Sequence, residues 1–119
     1  MPAGRLITFE GVDGSGKTTQ LRALARRLRD ADRDVVETRE PGGAPGAEAI
    51  RSLLVEGDTD RWSPETEILL FTAARRDHLE RTIRPALARG AINMKRGRHR
   101  GVTHVRLIGC CGNRRFHRR

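Results

Sequence analysis

Residues 11–18 read GVDGSGKT, and this stretch decides the fold. It fits the pattern G-x-x-x-x-G-K-[ST] at every fixed position, which is typical of a loop that wraps a phosphate and then opens a helix. A bare match also arises by chance, as a glycine-rich turn with an exposed lysine. The flanking sequence argues against chance, because RLITFE (5–10) is typical of a β-strand and residues 17–31 have a helical pattern.

The residue types in this loop suit a nucleoside triphosphate. Glycines let the backbone N–H groups point inward at a phosphate, and the helix that follows adds its positive N-terminal end. Lys17 would reach the β- and γ-phosphates, and Thr18 would offer its hydroxyl to Mg²⁺. The predicted nucleotide-binding residues are Gly11, Val12, Asp13, Gly14, Ser15, Gly16, Lys17, Thr18 and Thr19.

The sequence around the loop alternates between strand and helix patterns. The helix from Lys17 to about Ala31 has an apolar stripe of leucines and alanine, and DVVET (34–38) predicts a second strand that PGG (41–43) interrupts. Further helices are predicted over 47–55 and from a cap at Ser63 to about Arg84, where Pro85 should end or kink the helix. Short links of this kind indicate an α/β fold with a parallel sheet.

Composition and charge limit the classes of protein to which this chain can belong. The chain has 119 residues and a net charge of +9, but residues 1–93 are formally neutral and residues 94–119 hold nine Lys and Arg without an acid. The longest apolar run is Ile68–Phe71, which excludes a signal peptide and a transmembrane helix and favours a cytoplasmic protein. Cys110 and Cys111 are adjacent, with no CxxC pair, so a cysteine-based metal or redox site is not indicated.

Three blocks of sequence carry a resemblance to a known family. FEGVDGSGKTTQ (9–20), TREPGG (38–43) and LLFTAARRDHLERTIRPALARG (69–90), in this order, resemble the bacterial thymidylate kinases. The resemblance covers residues 5–91, and the second and third blocks are much more specific than the P-loop. It implies transfer of a phosphoryl group from Mg-ATP to dTMP, which gives dTDP, and it implies a homodimer.

The resemblance also assigns roles to single residues. Asp13 matches an acid that the family keeps near the metal and the acceptor phosphate, and Glu40 matches a residue of the loop beside the acceptor nucleotide. Arg51 matches an arginine that faces the acceptor. Phe71 matches the aromatic residue that stacks on thymine, and Arg75 the arginine that hydrogen-bonds the base.

Phe71 and Arg75 have support of their own, because residues i and i+4 share one helix face. An aromatic plane beside a planar donor would make a base clamp. On pattern alone, however, Phe71 continues an apolar run and is more typical of a core residue, while Arg75 and Glu40 would be ordinary solvated charges. His78 is predicted to be a surface residue.

The family pattern ends near residue 92. Family members continue after ALARG with an apolar strand that ends in Asp-Arg-Tyr, whereas this chain reads AINMKRGRHR (91–100), and no acid follows Glu80. Residues 1–92 are therefore predicted to be the N-terminal part of a P-loop thymidylate kinase domain, and residues 93–119 a basic tail outside the family. The tail is interpreted either as a nucleic-acid-binding arm or as non-native sequence from a shifted reading frame, and the abrupt switch favours the second. It is expected to be frame-shifted or disordered.

The predicted fold is α/β, of the P-loop NTPase and nucleoside-monophosphate-kinase type, with a parallel sheet and flanking helices, and incomplete. The P-loop holds no basic residue at 12–15, so the resemblance implies a catalytic arginine in a lid that this chain lacks. Loss of such an arginine costs about 10³–10⁵ in rate, and we expect the chain by itself to be inactive or nearly so.

The predicted function is that of a thymidylate kinase with ATP and Mg²⁺ as cofactors and dTMP as acceptor. Lys17 and Asp13 are the predicted catalytic residues, and Thr18 and Asp13 the predicted magnesium ligands. Two alternatives stay open. One is another P-loop nucleoside-monophosphate kinase, and the other is a basic nucleic-acid-binding protein with a vestigial P-loop. No membrane partner is expected, and only the tail would attract nucleic acid.

Overall fold

The computed structural model of the chain describes residues 3–98, 104–109 and 112–114. Strands and helices alternate as far as the second α-helix, three further helical segments follow without an intervening strand, and three strands come last. The elements in chain order are β1 (Arg5–Gly11), α1 (Lys17–Asp30), β2 (Val35–Arg39), α2 (Pro45–Val55), α3 (Pro64–His78), a π-helical segment (Leu79–Ile83), α4 (Arg84–Ala88), β3 (Ile92–Arg98), β4 (His104–Gly109) and β5 (Gly112–Arg114).

The strands form one sheet in the order β2-β3-β1-β4-β5. Strand β3 lies between β2 and β1 and is parallel to both. The predicted α/β fold with a parallel sheet and flanking helices is therefore confirmed. Strand β4 runs antiparallel to β1, and β5 antiparallel to β4, which the sequence did not predict.

Strand β3 shows where the sequence pattern misled. From residue 93 on, the sequence pattern by itself resembles a strand only over residues 102–108. In the structure, however, residues 92–98 form a strand between two others. The segment INMKRGR lacks clear alternation, and only Ile92 and Met94 contribute buried apolar side chains. Backbone pairing on both sides outweighs this weak local preference. Strand β4 covers most of the predicted segment, while residues 102 and 103 lie outside the described residues.

Helix α1 covers one face of the parallel strands. Its predicted apolar stripe is confirmed, because Leu21 and Ala25 are buried and Leu24 and Leu28 pack against the same core. The strands supply the rest of this core, namely Phe9, Val35, Ile92 and Met94. This packing holds the N-terminus of α1 beside the carboxyl end of β1.

The helix after Ser63 is longer than predicted. Its cap is confirmed, since the Ser63 hydroxyl accepts a hydrogen bond from the Thr66 N–H at 3.2 Å. The prediction that Pro85 ends the helix at Arg84 is wrong, because the chain stays helical to Ala88. The regular α-helical geometry is nevertheless interrupted over Leu79–Ile83, directly before Pro85. The π-helical segment widens the turn, with the Arg84 N–H donating to the Leu79 carbonyl, and Pro85 then sits in the first turn of α4, where no N–H is needed.

The predicted division of the chain at residues 92 and 93 falls within β3. Residues 99–103, 110–111 and 115–119, including Cys110 and Cys111, lie outside the described residues. That residues 93–119 stand outside the family stays a prediction. In the described part of the chain, no helix combines the length and apolar character needed to cross a membrane.

Candidate functional site

The P-loop joins the carboxyl end of β1 to the first turn of α1. Gly14 and Gly16 have φ angles of +81° and +84°, and a Cβ atom on either would meet nothing within 4 Å. Glycine is therefore required there by the left-handed backbone rather than by lack of space. Ser15 Oγ is buried and has no hydrogen-bond partner among the described residues, so the loop holds an unused hydroxyl.

The side chains that open α1 reach across to β3. Lys17 Nζ donates to the Gly11 carbonyl and, at 3.0 Å, to the Gly97 carbonyl. The Thr18 hydroxyl accepts a hydrogen bond from Nη1 of Arg96. Strand β3 therefore belongs to the site, which sequence reasoning missed. Val12, Asp13 and Thr19 are exposed.

The donor set beside Thr18 does not suit a magnesium ion. Mg²⁺ prefers oxygen ligands, and in P-loop proteins these are the Ser or Thr hydroxyl and a carboxylate. Here the hydroxyl faces a permanently charged guanidinium, which would repel a second cation. Within residues 3–98, 104–109 and 112–114, no three His, Cys, Asp or Glu side chains form a group that could hold a metal. The residues present do not fit the site predicted at Thr18 and Asp13.

A cavity of about 150 Å³ opens beside the carboxyl ends of β1 and β3. Three of the four residues predicted for the acceptor site, Glu40, Phe71 and Arg75, line it. Phe71 is 44% exposed, so its interpretation as a core residue, which the pattern alone favoured, is wrong. The full lining is Glu10, Glu40, Pro41, Phe71, Arg75, Lys95 and Gly97.

The Glu40 carboxylate is the charged centre of this cavity. It lies 3.1 Å from Lys95 Nζ, 3.3 Å from Arg75 Nε and 3.4 Å from His78 Nδ1. Burial by itself raises the pKa of Glu40, but the His78 hydrogen bond and the positive charges of Lys95 and Arg75 outweigh it and lower the pKa to about 2. Glu40 is therefore ionised at neutral pH and orients Arg75 at the cavity.

His78 is fully buried, so the prediction of a surface residue is wrong. Because an ionised carboxylate only accepts hydrogen bonds, the His78 Nδ1 beside Glu40 carries a proton. Its Nε2 has no hydrogen-bond partner among the described residues and faces Gly43. A Cβ on Gly43 would lie 2.4 Å from that nitrogen, and Gly43 has a φ of +88°, which explains a glycine at the end of TREPGG.

Two side chains of helix α2 hydrogen-bond to the segment 38–43 that carries Glu40. Glu48 accepts from the Arg39 guanidinium at 2.9 Å and from the Gly43 N–H at 2.8 Å. Arg51 donates to the Pro41 carbonyl at 3.0 Å and is not among the residues that line the acceptor cavity. The structure thus brings Arg51 to the loop that carries Glu40 rather than to the cavity surface.

The low pKa of Glu40 predicts acid sensitivity. A carboxyl group whose pKa is lower in the folded state stabilises the fold above its ordinary pKa, and that contribution is lost as the pH falls. The lowering of the Glu40 pKa from 4.5 to about 2 corresponds to a contribution of at most about 3 kcal/mol to the free energy of unfolding. We expect the difference in unfolding free energy between wild type and Glu40→Gln, from urea titrations, to shrink as the pH falls from 4.5 towards 2. A difference that is constant over this interval would contradict the assignment.

Sequence reasoning missed the contributions of Lys95, Arg96 and Gly97 because they lie in a segment that was interpreted as a tail. The available signal was weak, because only Ile92 and Met94 follow the two-residue spacing of a strand. No local signal in the sequence identifies His78 as buried, because its partner Glu40 is 38 residues away.

These features together define a class. Parallel strands, a glycine-rich phosphate loop between β1 and α1, and an adjoining cavity at the carboxyl ends of the strands are the P-loop nucleoside-monophosphate-kinase fold. The family model "Thymidylate kinase" matches residues 9–94. The chain belongs to the thymidylate kinase family, which is a family of phosphotransferases.

Individual relatives agree with this assignment. The chain is 77% identical over 87 residues to a thymidylate kinase of Dinoroseobacter shibae, covering 73% of this chain and 42% of that protein. It is 66% identical over 92 residues to a thymidylate kinase of Caulobacter vibrioides, covering 77% and 44%. A crystal structure of thymidylate kinase from Ehrlichia chaffeensis superposes with a TM-score of 0.71 at 41% identity, covering 80% of this chain and 53% of that one. The chain therefore spans about two fifths of the length of these curated relatives.

Proposed function

We propose that this chain binds dTMP in the 150 Å³ cavity and the phosphates of ATP on the P-loop, as the acceptor and donor of a phosphoryl transfer that gives dTDP. The observation that carries the proposal is the joint presence of Glu40, Phe71 and Arg75 at one cavity. These three residues come from two separate segments of the chain. A family relationship over residues 9–94 supports the same acceptor.

The donor and acceptor sites adjoin in this proposal. Gly97 lines the acceptor cavity, and its carbonyl accepts a hydrogen bond from Lys17, the P-loop lysine. A phosphate held by Lys17 would therefore lie next to the cavity that holds the acceptor. Positioning of this kind is the main contribution of a protein to phosphoryl transfer.

The residues of the acceptor cavity have separate roles. The ring of Phe71 would stack on the thymine base, and Arg75, oriented by Glu40, would hydrogen-bond its polar edge. Lys95 would add positive charge near the acceptor phosphate, and Arg51 would act through the Pro41 carbonyl by fixing the loop.

On the donor side, Lys17 and the loop amides from Gly11 to Thr19 would hold the phosphates. Asp13 is exposed on the loop, where it is proposed to face the acceptor phosphate. No step of this proposal depends on the magnesium ion, since the residues at Thr18 do not fit it.

A homodimer and a cytoplasmic location are proposed from the family. Large apolar side chains are exposed on α2 and α3, with Ile68 at 65% and Leu69 at 70%, which supports a protein partner for this side of the chain.

The test is competition binding with dTMP, dCMP, UMP and AMP. We expect preference for dTMP, and Phe71→Ala should weaken dTMP binding by roughly 5- to 100-fold because base–aromatic stacking contributes about 1–3 kcal/mol. Arg75→Ala should weaken it by about tenfold or more. The matched control is Arg76→Ala, which removes the neighbouring arginine that pairs with Glu80 outside the cavity.

Equal binding of all four monophosphates, or tighter binding of one of the other three, would disprove the acceptor assignment. Loss of dTMP binding in Arg76→Ala as large as in Arg75→Ala would assign the effect to general charge or stability instead of to the cavity.

A further inference from the structure

Arg96 lies against the phosphate loop. Arg96 is on β3, in register with Phe9 of β1 and Arg39 of β2, and it is partly buried. Its Nη1 donates to the Thr18 hydroxyl. Among the residues that the structure describes, no carboxylate forms an ion pair with Arg96. A guanidinium carries five N–H donors, so most of its capacity is not used by Thr18.

The surroundings of Arg96 suit an anion. It lines a cavity of about 270 Å³ together with Thr18 and Arg22. The two carboxylates of the same lining, Glu37 and Glu48, are already paired with arginines. Arg39, a third arginine on this lining, is paired with Glu48, whereas Arg96 faces a hydroxyl. Planar guanidinium groups bind phosphate oxygens by paired hydrogen bonds.

We propose that the P-loop of this chain takes the phosphates of a nucleotide without a divalent cation, and that Arg96 occupies the place of the metal at Thr18. The inference rests on the proposed function, because it concerns the same phosphate loop. Free ATP carries more negative charge than its magnesium complex, so a guanidinium at this position attracts the free form at least as strongly. A metal ion could bind the Thr18 hydroxyl only by displacing Arg96, which would break the hydrogen bond between Arg96 and that hydroxyl.

The experiment measures ATP binding to the full chain by calorimetry, at one ionic strength, with excess Mg²⁺ and with EDTA. For the wild type we expect the Kd in EDTA to equal or fall below the Kd in Mg²⁺. In Arg96→Asp, which exchanges the guanidinium for a carboxylate beside Thr18, the Kd in EDTA should exceed that in Mg²⁺ by about tenfold or more.

Two further variants separate the contact from general effects. Arg96→Gln removes the charge but keeps a polar side chain of similar reach, and it should weaken ATP binding in EDTA more than in Mg²⁺. Arg26→Asp makes the same change of charge on the exposed face of α1, and its ratio of the two Kd values should match that of the wild type.

The outcomes separate this inference from the proposed function. If the wild type binds ATP at least tenfold more tightly in Mg²⁺ than in EDTA, the inference is overturned, while nucleotide binding itself stays intact. An unchanged ratio in both Arg96 variants would also overturn it. Absence of ATP binding under both conditions, with a folded chain by circular dichroism, would overturn the inference and the proposed function together.

Discussion

Gly43→Ala is expected to cost roughly 3–5 kcal/mol of unfolding free energy, enough to unfold much of a small domain at 37 °C. Two penalties add at this position. The φ of +88° strains any residue with a Cβ atom, and the new methyl group would lie 2.4 Å from Nε2 and 2.5 Å from Cδ2 of the His78 ring. Because His78 is fully buried, its ring cannot move aside into solvent.

Urea titration followed by circular dichroism measures this effect, and Gly57→Ala is the matched control. Gly57 has a φ of +92°, but a Cβ atom added there would lie 3.5 Å from the nearest side-chain atom, which belongs to Arg61. Only the backbone penalty of about 1–2 kcal/mol therefore applies. A second comparison is the double variant Gly43→Ala/His78→Ala, which should be less destabilised than the sum of the two single changes. Equal losses in Gly43→Ala and Gly57→Ala would show that the clash with His78 contributes nothing.

Lys17→Ala is expected to weaken ATP binding by roughly 10- to 100-fold, because a charged hydrogen bond to phosphate contributes about 1.5–3 kcal/mol. The residue also donates to the carbonyls of Gly11 and Gly97, and its removal loosens the contact between the loop and β3. Calorimetric titration with ATP in EDTA gives the affinity, and urea titration of the same variant gives its stability.

Two control variants separate these effects. Arg26→Ala removes a positive charge from the exposed face of α1 and should leave the ATP affinity within about twofold of the wild type. Lys17→Arg keeps the charge but not the shape of the ammonium, so we expect an intermediate affinity. Wild-type affinity in Lys17→Ala, with a folded chain, would remove the P-loop lysine from the nucleotide site.

Much of the fold was predictable because its signals are local. The glycine and lysine positions of residues 11–18, the apolar stripe of α1 and the cap at Ser63 are each defined within a few residues. The acceptor residues were less accessible. The i, i+4 spacing placed Phe71 and Arg75 on one face, but only the family resemblance assigned that face to a nucleotide.

Predictions were wrong where distant parts of the chain supply the deciding contacts. Pairing with β1 and β2 makes a strand of the weakly patterned residues 92–98. His78 is buried because Glu40, from the loop after β2, lies against it. None of these partners is visible in a short window of sequence.

The sequence alone determines the position of the phosphate loop, since the left-handed glycines and the lysine that opens α1 are properties of adjacent residues. Only the tertiary structure decides what faces that loop. Thr18 and Arg96 are 78 residues apart in the chain, and the parallel pairing of β1 with β3 brings them into hydrogen-bond contact. Thr18, which the P-loop pattern predicts to be a metal ligand, thereby becomes the hydrogen-bond partner of the Arg96 guanidinium. Strand pairing, rather than local sequence, determines which charged side chain lies beside the loop.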